Sequence, residues 1–103
     1  MCAAASVKLG LFVPADLHTR MLAANAYRPR GAVQAAYANA FVDLLDALDG
    51  GEEILFAAVR GAKRRVTVRL TEALSHRLRI ALERLNLKIT DFACAAMERH
   101  LSA

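Results

Sequence analysis

Polar and apolar residues alternate strictly from Lys63 to Leu70. Val66, Val68 and Leu70 fall on one side, and Arg65, Thr67 and Arg69 on the other. Side chains of a strand point to opposite faces in turn, so this stretch predicts a β-strand with one greasy face and one basic, hydrogen-bonding face. Val7 to Val13 alternates in the same way, with Val7, Leu9, Leu11 and Val13 on the inner side and Lys8, Gly10 and Phe12 on the outer. A lone strand has unpaired backbone groups and no stable existence, so these two stretches are expected to pair.

Between and after them the period lengthens to that of a helix. Pro14 opens a run in which Leu17, Met21 and Ala24 recur at helical spacing. Tyr27-Arg28-Pro29-Arg30-Gly31 reads as a turn. A second helix is expected from about Ala32 to Leu48, with the stripe Val33, Tyr37, Ala40, Phe41, Leu44, Leu45 and Leu48, and Asp49-Gly50-Gly51 ends it. Glu52 to Val59, with two acids at its start, predicts a short extra helix. Thr71 is placed to cap a third helix carrying Leu74, Leu78, Ala81, Leu82 and Leu85. After the turn Asn86-Leu87-Lys88, a last helix carries Ile89, Phe92, Ala93, Ala96, Met97 and Leu101.

The class expected is mostly α with one two-stranded antiparallel β-ribbon. The order strand, helix, helix occurs twice at an offset of about 57 residues: Leu17 matches Leu74 and Met21 matches Leu78. Residues 7–48 form the first repeat, 49–62 a connector and 63–102 the second repeat, all within one domain spanning 1–103. A repeat of about 40 residues is near the size at which a lone core fails, so the two are expected to pack on each other.

Of the 103 residues 56% are hydrophobic, enough for a core, and the formal charge is +4. Residues 1–48 hold four Lys/Arg against three Asp/Glu (+1), residues 49–62 one against three (−2), and residues 63–103 nine against four (+5). The basic excess starts at the second strand and suits an anionic partner. Two cysteines, Cys2 and Cys94, do not suggest a disulfide framework, and no apolar run approaches a membrane span, so the chain is read as cytoplasmic. His18, His76 and His100 show no metal-ligand spacing, and no phosphate loop or catalytic triad is present; neither enzyme chemistry nor a cofactor nor a small-molecule ligand is expected.

Arg65-Val66-Thr67-Val68-Arg69-Leu70-Thr71, followed by Leu74, Leu78 and Leu82 and the turn Asn86-Leu87-Lys88-Ile89-Thr90, resembles the ribbon-helix-helix family of DNA-binding proteins. The resemblance covers nearly the whole chain, twice, and implies a tandem ribbon-helix-helix (β-α-α-β-α-α) pseudo-dimer in one chain, similar to accessory proteins of conjugative-plasmid and T-DNA transfer. The first copy departs from the pattern in its outward positions Lys8, Gly10 and Phe12, which are poor in hydrogen-bonding groups, and in its turn Arg28-Pro29-Arg30-Gly31.

The resemblance further implies that the ribbon enters the major groove of double-stranded DNA. Arg65, Thr67, Arg69, Lys8, Gly10 and Phe12 then face base edges. Phosphates are met by Lys63, Arg64, Arg30 and Lys88 and by the helix starts at Gly31-Ala32 and Lys88-Ile89-Thr90. Two different triads on one ribbon imply an asymmetric target. A relaxase or another relaxosome protein is a further implied partner; transcriptional repression is the other use of the same surface, and the single-chain tandem form looks more like the transfer accessories. Against this stand a solvated sheet face, which has the same alternation, and an antitoxin-like adaptor working through Glu52 to Val59 or a helix face. The duplicated topology favours DNA.

Overall fold

The computed structural model describes residues 6–29, 31–56 and 58–102. The elements run β1 (Ser6–Pro14), α1 (Ala15–Ala24), α2 (Ala32–Asp49), β2 (Lys63–Thr71), α3 (Glu72–Leu85) and α4 (Ile89–Ser102). β1 and β2 pair antiparallel into one two-stranded sheet, with Gly10 opposite Thr67 at its centre, Lys8 opposite Arg69 and Phe12 opposite Arg65. Because side chains alternate, that register sends Leu11, Val13, Val68 and Leu70 together into the core, where each is at most 2% exposed. The ribbon is closed at one end by the Ala15 N–H, which donates to the Ala62 carbonyl at 3.0 Å.

The helix ends follow from local chemistry. Thr71 Oγ1 accepts from the Leu74 N–H at 3.1 Å and so satisfies one of the free donors of α3. Asn86 stands at φ 53° after α3, and the Leu87 N–H returns to the Leu82 carbonyl at 3.0 Å. Gly51, at φ 83°, ends α2 in the same way: the Gly51 N–H reaches the Leu48 carbonyl and the Glu52 N–H the Ala47 carbonyl. A side chain at Gly51 would strain that left-handed turn.

One hydrophobic core runs through both halves. α2 contributes Ala36, Tyr37, Ala40, Phe41, Leu44 and Leu45, and α4 contributes Phe92, Ala93, Ala96 and Met97. The small residues Ala40, Ala93 and Ala96 are almost wholly buried. Phe41 and Phe92 meet at a centroid distance of 5.9 Å with planes tilted 59°, the offset geometry that aromatic quadrupoles prefer. Among the described residues no helix is long and apolar enough to cross a membrane.

Two expectations are corrected. The structure does not show a tandem pseudo-dimer: it shows one two-stranded antiparallel sheet with four helices whose lengths do not repeat from one half to the other. The helices of the first half have 10 and 18 residues, those of the second 14 and 14. Matched positions also do different work. Gln34 bonds the backbone of β2, whereas Asp91, 57 residues on, accepts from the Val59 N–H of the connector at 3.1 Å. A shared hydrophobic period reports the spacing of apolar positions only. Twofold equivalence also needs matching lengths, turns and contacts, and these differ.

The second correction concerns the connector. Its described residues between Glu52 and Arg60 form no helix. Ile54 and Phe56 are half-buried against the core while Glu53 and Leu55 point out, Leu55 with 96% exposure. That is the alternation of extended chain, and the buried pair outweighs the helix-start signal of the two acids. Phe56 stacks on Phe92 at 6.2 Å, and Glu52 takes both terminal nitrogens of Arg99 at 2.8 and 3.0 Å.

Candidate nucleic-acid interface

The outward face of the ribbon is built by the same alternation that fills the core. Lys8, Gly10, Phe12, Lys63, Arg65, Thr67 and Arg69 share one strand parity, and all seven are exposed. Three alternate positions span about 14 Å of strand, and neighbouring strands lie about 4.8 Å apart. The face is therefore a narrow band, with Lys8 beside Arg69 at one end, Gly10 beside Thr67 in the middle, and Phe12 beside Arg65 and Lys63 towards the other. Phe12 is 54% exposed, a sizeable apolar surface among cations.

The charge of this face is uncompensated. Among the described residues the ion pairs lie elsewhere. Arg77 Nη2 bridges Asp46 at 2.7 Å and Asp49 at 2.6 Å, tying α3 to the last turn of α2, and Arg99 holds Glu52. Lys8, Lys63, Arg65 and Arg69 enter none of these pairs.

One residue at the ribbon was missed by sequence reading. Gln34, the chain's one glutamine, lies in the first turn of α2 and binds β2 through both ends of its amide. Its Nε2 donates to the Thr67 carbonyl at 2.7 Å, and its Oε1 accepts from the Arg69 N–H at 3.0 Å. An exposed strand edge invites stray pairing, and here the amide satisfies it as a short third strand would. The contact also fixes the start of α2 relative to Thr67 and Arg69. A glutamine off the apolar stripe carries no local signal of this.

The expected phosphate residues divide. Lys63 joins the outward row, opposite Pro14. Arg64 sits opposite Val13, on the helix-facing parity at the ribbon's end, exposed. Gly31, at φ 89°, is the N-cap of α2 and supplies no side-chain cap, and Ala32 follows it half-buried. Lys88 is exposed before α4, and Ile89 and Thr90 are half-buried in its first turn. Thus α2 starts on the ribbon through Gln34, whereas the first turn of α4 is bonded to the connector through Asp91. Arg30 lies outside the described residues.

Arg64 bears on His18. His18 Nδ1 lies 2.6 Å from the Tyr37 hydroxyl, and the two rings stack at 6.0 Å. Burial, then the charge of Arg64, push the His18 pKa below its ordinary 6.5, while burial pushes Tyr37 up to about 12. The contact therefore joins a neutral imidazole to a protonated tyrosine hydroxyl. Below pH 6.5 the unfolded chain takes up a proton that the folded chain resists, so this contribution to stability is complete above 6.5 and is lost as pH falls towards the depressed value. His18→Asn keeps a hydrogen-bonding group near Nδ1 without titrating. Thermal melts at pH 7.5 and 5.5 are expected to show a larger loss for the native chain than for His18→Asn; equal losses would discount the His18 linkage.

Burial, then Glu98, push the Cys94 thiol up to about 11, which keeps it in the unreactive protonated form. Among the described residues no three His, Cys, Asp or Glu side chains are grouped to hold a metal ion. Comparison of the chain with protein-family models, with curated proteins and with solved structures finds no match.

Proposed function

We propose that this chain binds double-stranded DNA sequence-specifically by laying its two-stranded ribbon in the major groove, in the manner of ribbon-helix-helix proteins. One observation carries the reading. The exposed face of the ribbon sets Lys8, Lys63, Arg65 and Arg69 along one narrow band, and none of the four enters an ion pair among the described residues. A groove about 12 Å wide admits a two-stranded ribbon and presents the acceptors that arginine forks match. Arg65, Thr67 and Arg69 read bases in this scheme, Lys8 and Phe12 supplement them, and Lys63, Lys88 and the start of α2 meet phosphates. Gln34 holds the α2 start in register with the reading strand.

Of the connector that the adaptor reading invoked, Glu52 is bound to Arg99 and Ile54 and Phe56 pack on the core, while Leu55 and the helix faces stay open to a partner. Transcriptional repressor and transfer-origin accessory use the same face and differ only in where the target lies.

The test is a titration of labelled fragments from around the chain's own gene, against random duplex, at two salt concentrations. One fragment should be preferred, and log affinity should fall with log salt at a slope near −0.9 per phosphate contact. Binding that ignores sequence at both salts, or no binding at low salt, would remove the proposal.

A further inference from the structure

Gly10 stands opposite Thr67 at the centre of the outward face. A Cβ built on it would lie 3.3 Å from Nη2, 3.6 Å from Nε and 3.9 Å from Cζ of Arg65. Arg65 is the direct partner of Phe12, not of Gly10. Its side chain therefore crosses the ribbon diagonally and lays its guanidinium over the bare backbone of Gly10. Diagonal neighbours in an antiparallel pair are within reach of a long side chain. The glycine leaves the room, and Phe12 is left open at 54% exposure instead of being covered by its partner.

We infer that Gly10 is a specificity-determining residue: it seats the Arg65 fork at the middle of the ribbon, where the fork selects a guanine, and frees Phe12 to select a thymine methyl beside it. This rests on the DNA reading proposed above. The planar fork matches O6 and N7 of guanine, and thymine alone offers a C5 methyl in the groove. The face then has a direction. An apolar contact lies at the Phe12 end, a guanine reader at the centre, and the pair Lys8 and Arg69 at the other end. A Cβ alone would shift the tip of Arg65 by only a few tenths of an ångström, but in Gly10→Val the branched side chain takes the place of the guanidinium. Arg65 swings back towards the ring of Phe12, where a cation is also welcome, and the guanine at the centre goes unread.

The change is made on the outward face of a strand, where valine is favoured over glycine, so the variant folds. The native target is first selected from a randomised duplex pool. Affinities are then measured for duplexes in which the central guanine is replaced by 7-deazaguanine, which lacks N7, or the thymine by uracil, which lacks the methyl.

The native chain should lose roughly tenfold on the 7-deaza duplex and a smaller factor on the uracil duplex. Gly10→Val should bind the parent site as weakly as Arg65→Ala does and no longer respond to 7-deazaguanine. Its melting midpoint and low-salt binding to random duplex should match the native chain. Full discrimination by Gly10→Val, or a guanine preference lying at the Arg69 end alone, overturns the role of Gly10 and leaves DNA binding standing. Failure of the native chain to bind any duplex at low salt overturns both.

Discussion

Phe92→Ala is expected to destabilise the chain by about 3–5 kcal/mol, the range for truncating a fully buried aromatic. Phe92 has no exposed surface. Its ring contacts Phe41 of α2 at 5.9 Å and Phe56 of the connector at 6.2 Å, so it joins three segments that are distant in sequence. That arrangement decides where in the range the loss falls. A cavity closes cheaply when one flexible element lines it, but here collapse would move α2, α4 and the connector together. Small domains hold only about 5–15 kcal/mol in all, and 1 kcal/mol moves the midpoint of a chain this size by about 4–8 °C. Urea and thermal unfolding followed by circular dichroism should therefore show a midpoint lowered by tens of degrees. Leu55→Ala, at a site 96% exposed, should change stability by less than about 0.5 kcal/mol. A loss below about 1 kcal/mol at Phe92 would mean that the three segments do not depend on its ring.

What the residue pattern discloses, and what it hides, divides by the range of the interaction. Strand alternation and helical stripes are local periods imposed by backbone geometry, so the order of elements, and the inward set Leu11, Val13, Val68 and Leu70, are legible. The stops at Gly51 and Asn86 and the cap at Thr71 are local chemistry of the same kind. Within the candidate interface, alternation alone is enough to place the outward residues of both strands on one parity.

The rest depends on which residues meet across the chain. Gln34 bonds residues 33 and 35 positions away, and Arg77 finds acids 31 and 28 positions away. No periodicity carries such information. The connector misleads because two acids after a glycine pair imitate a helix start, whereas its true signal is the spacing of Ile54 and Phe56. The halves mislead for a related reason: like stripes do not require like lengths or like partners. By residue type Gly10 is a weak reading position, but its role depends on where the Arg65 side chain goes, and that is a property of the assembled ribbon.

Arg69→Ala is expected to weaken specific binding far more than Phe12→Ala. A bidentate arginine–guanine pair discriminates by about 1–3 kcal/mol, roughly five- to a hundred-fold and more, whereas Phe12 offers one apolar contact to a methyl. Truncation at Arg69 can be read as removal of the side chain alone. Its backbone N–H stays bound to Gln34 Oε1 at 3.0 Å and its strand stays paired, so the reading edge keeps its place. Arg69 also shares its end of the ribbon with Lys8, and removing one of two adjacent cations lowers the local field as well as the base reading. The two strands present different triads, Lys8, Gly10, Phe12 and Arg65, Thr67, Arg69, so the target should lack a palindrome. Scrambling the base pairs under Arg65 and Arg69 should accordingly cost more affinity than scrambling those under Phe12. Gel-shift or anisotropy titrations of the native chain and both variants, on the selected duplex and on random duplex, separate these effects. If Arg69 reads a base, its truncation lowers binding to the selected duplex chiefly. If it meets a phosphate instead, truncation lowers binding to both duplexes and reduces the salt slope by about one. Equal losses for Arg69→Ala and Phe12→Ala would mean that the outward face is not the reading surface.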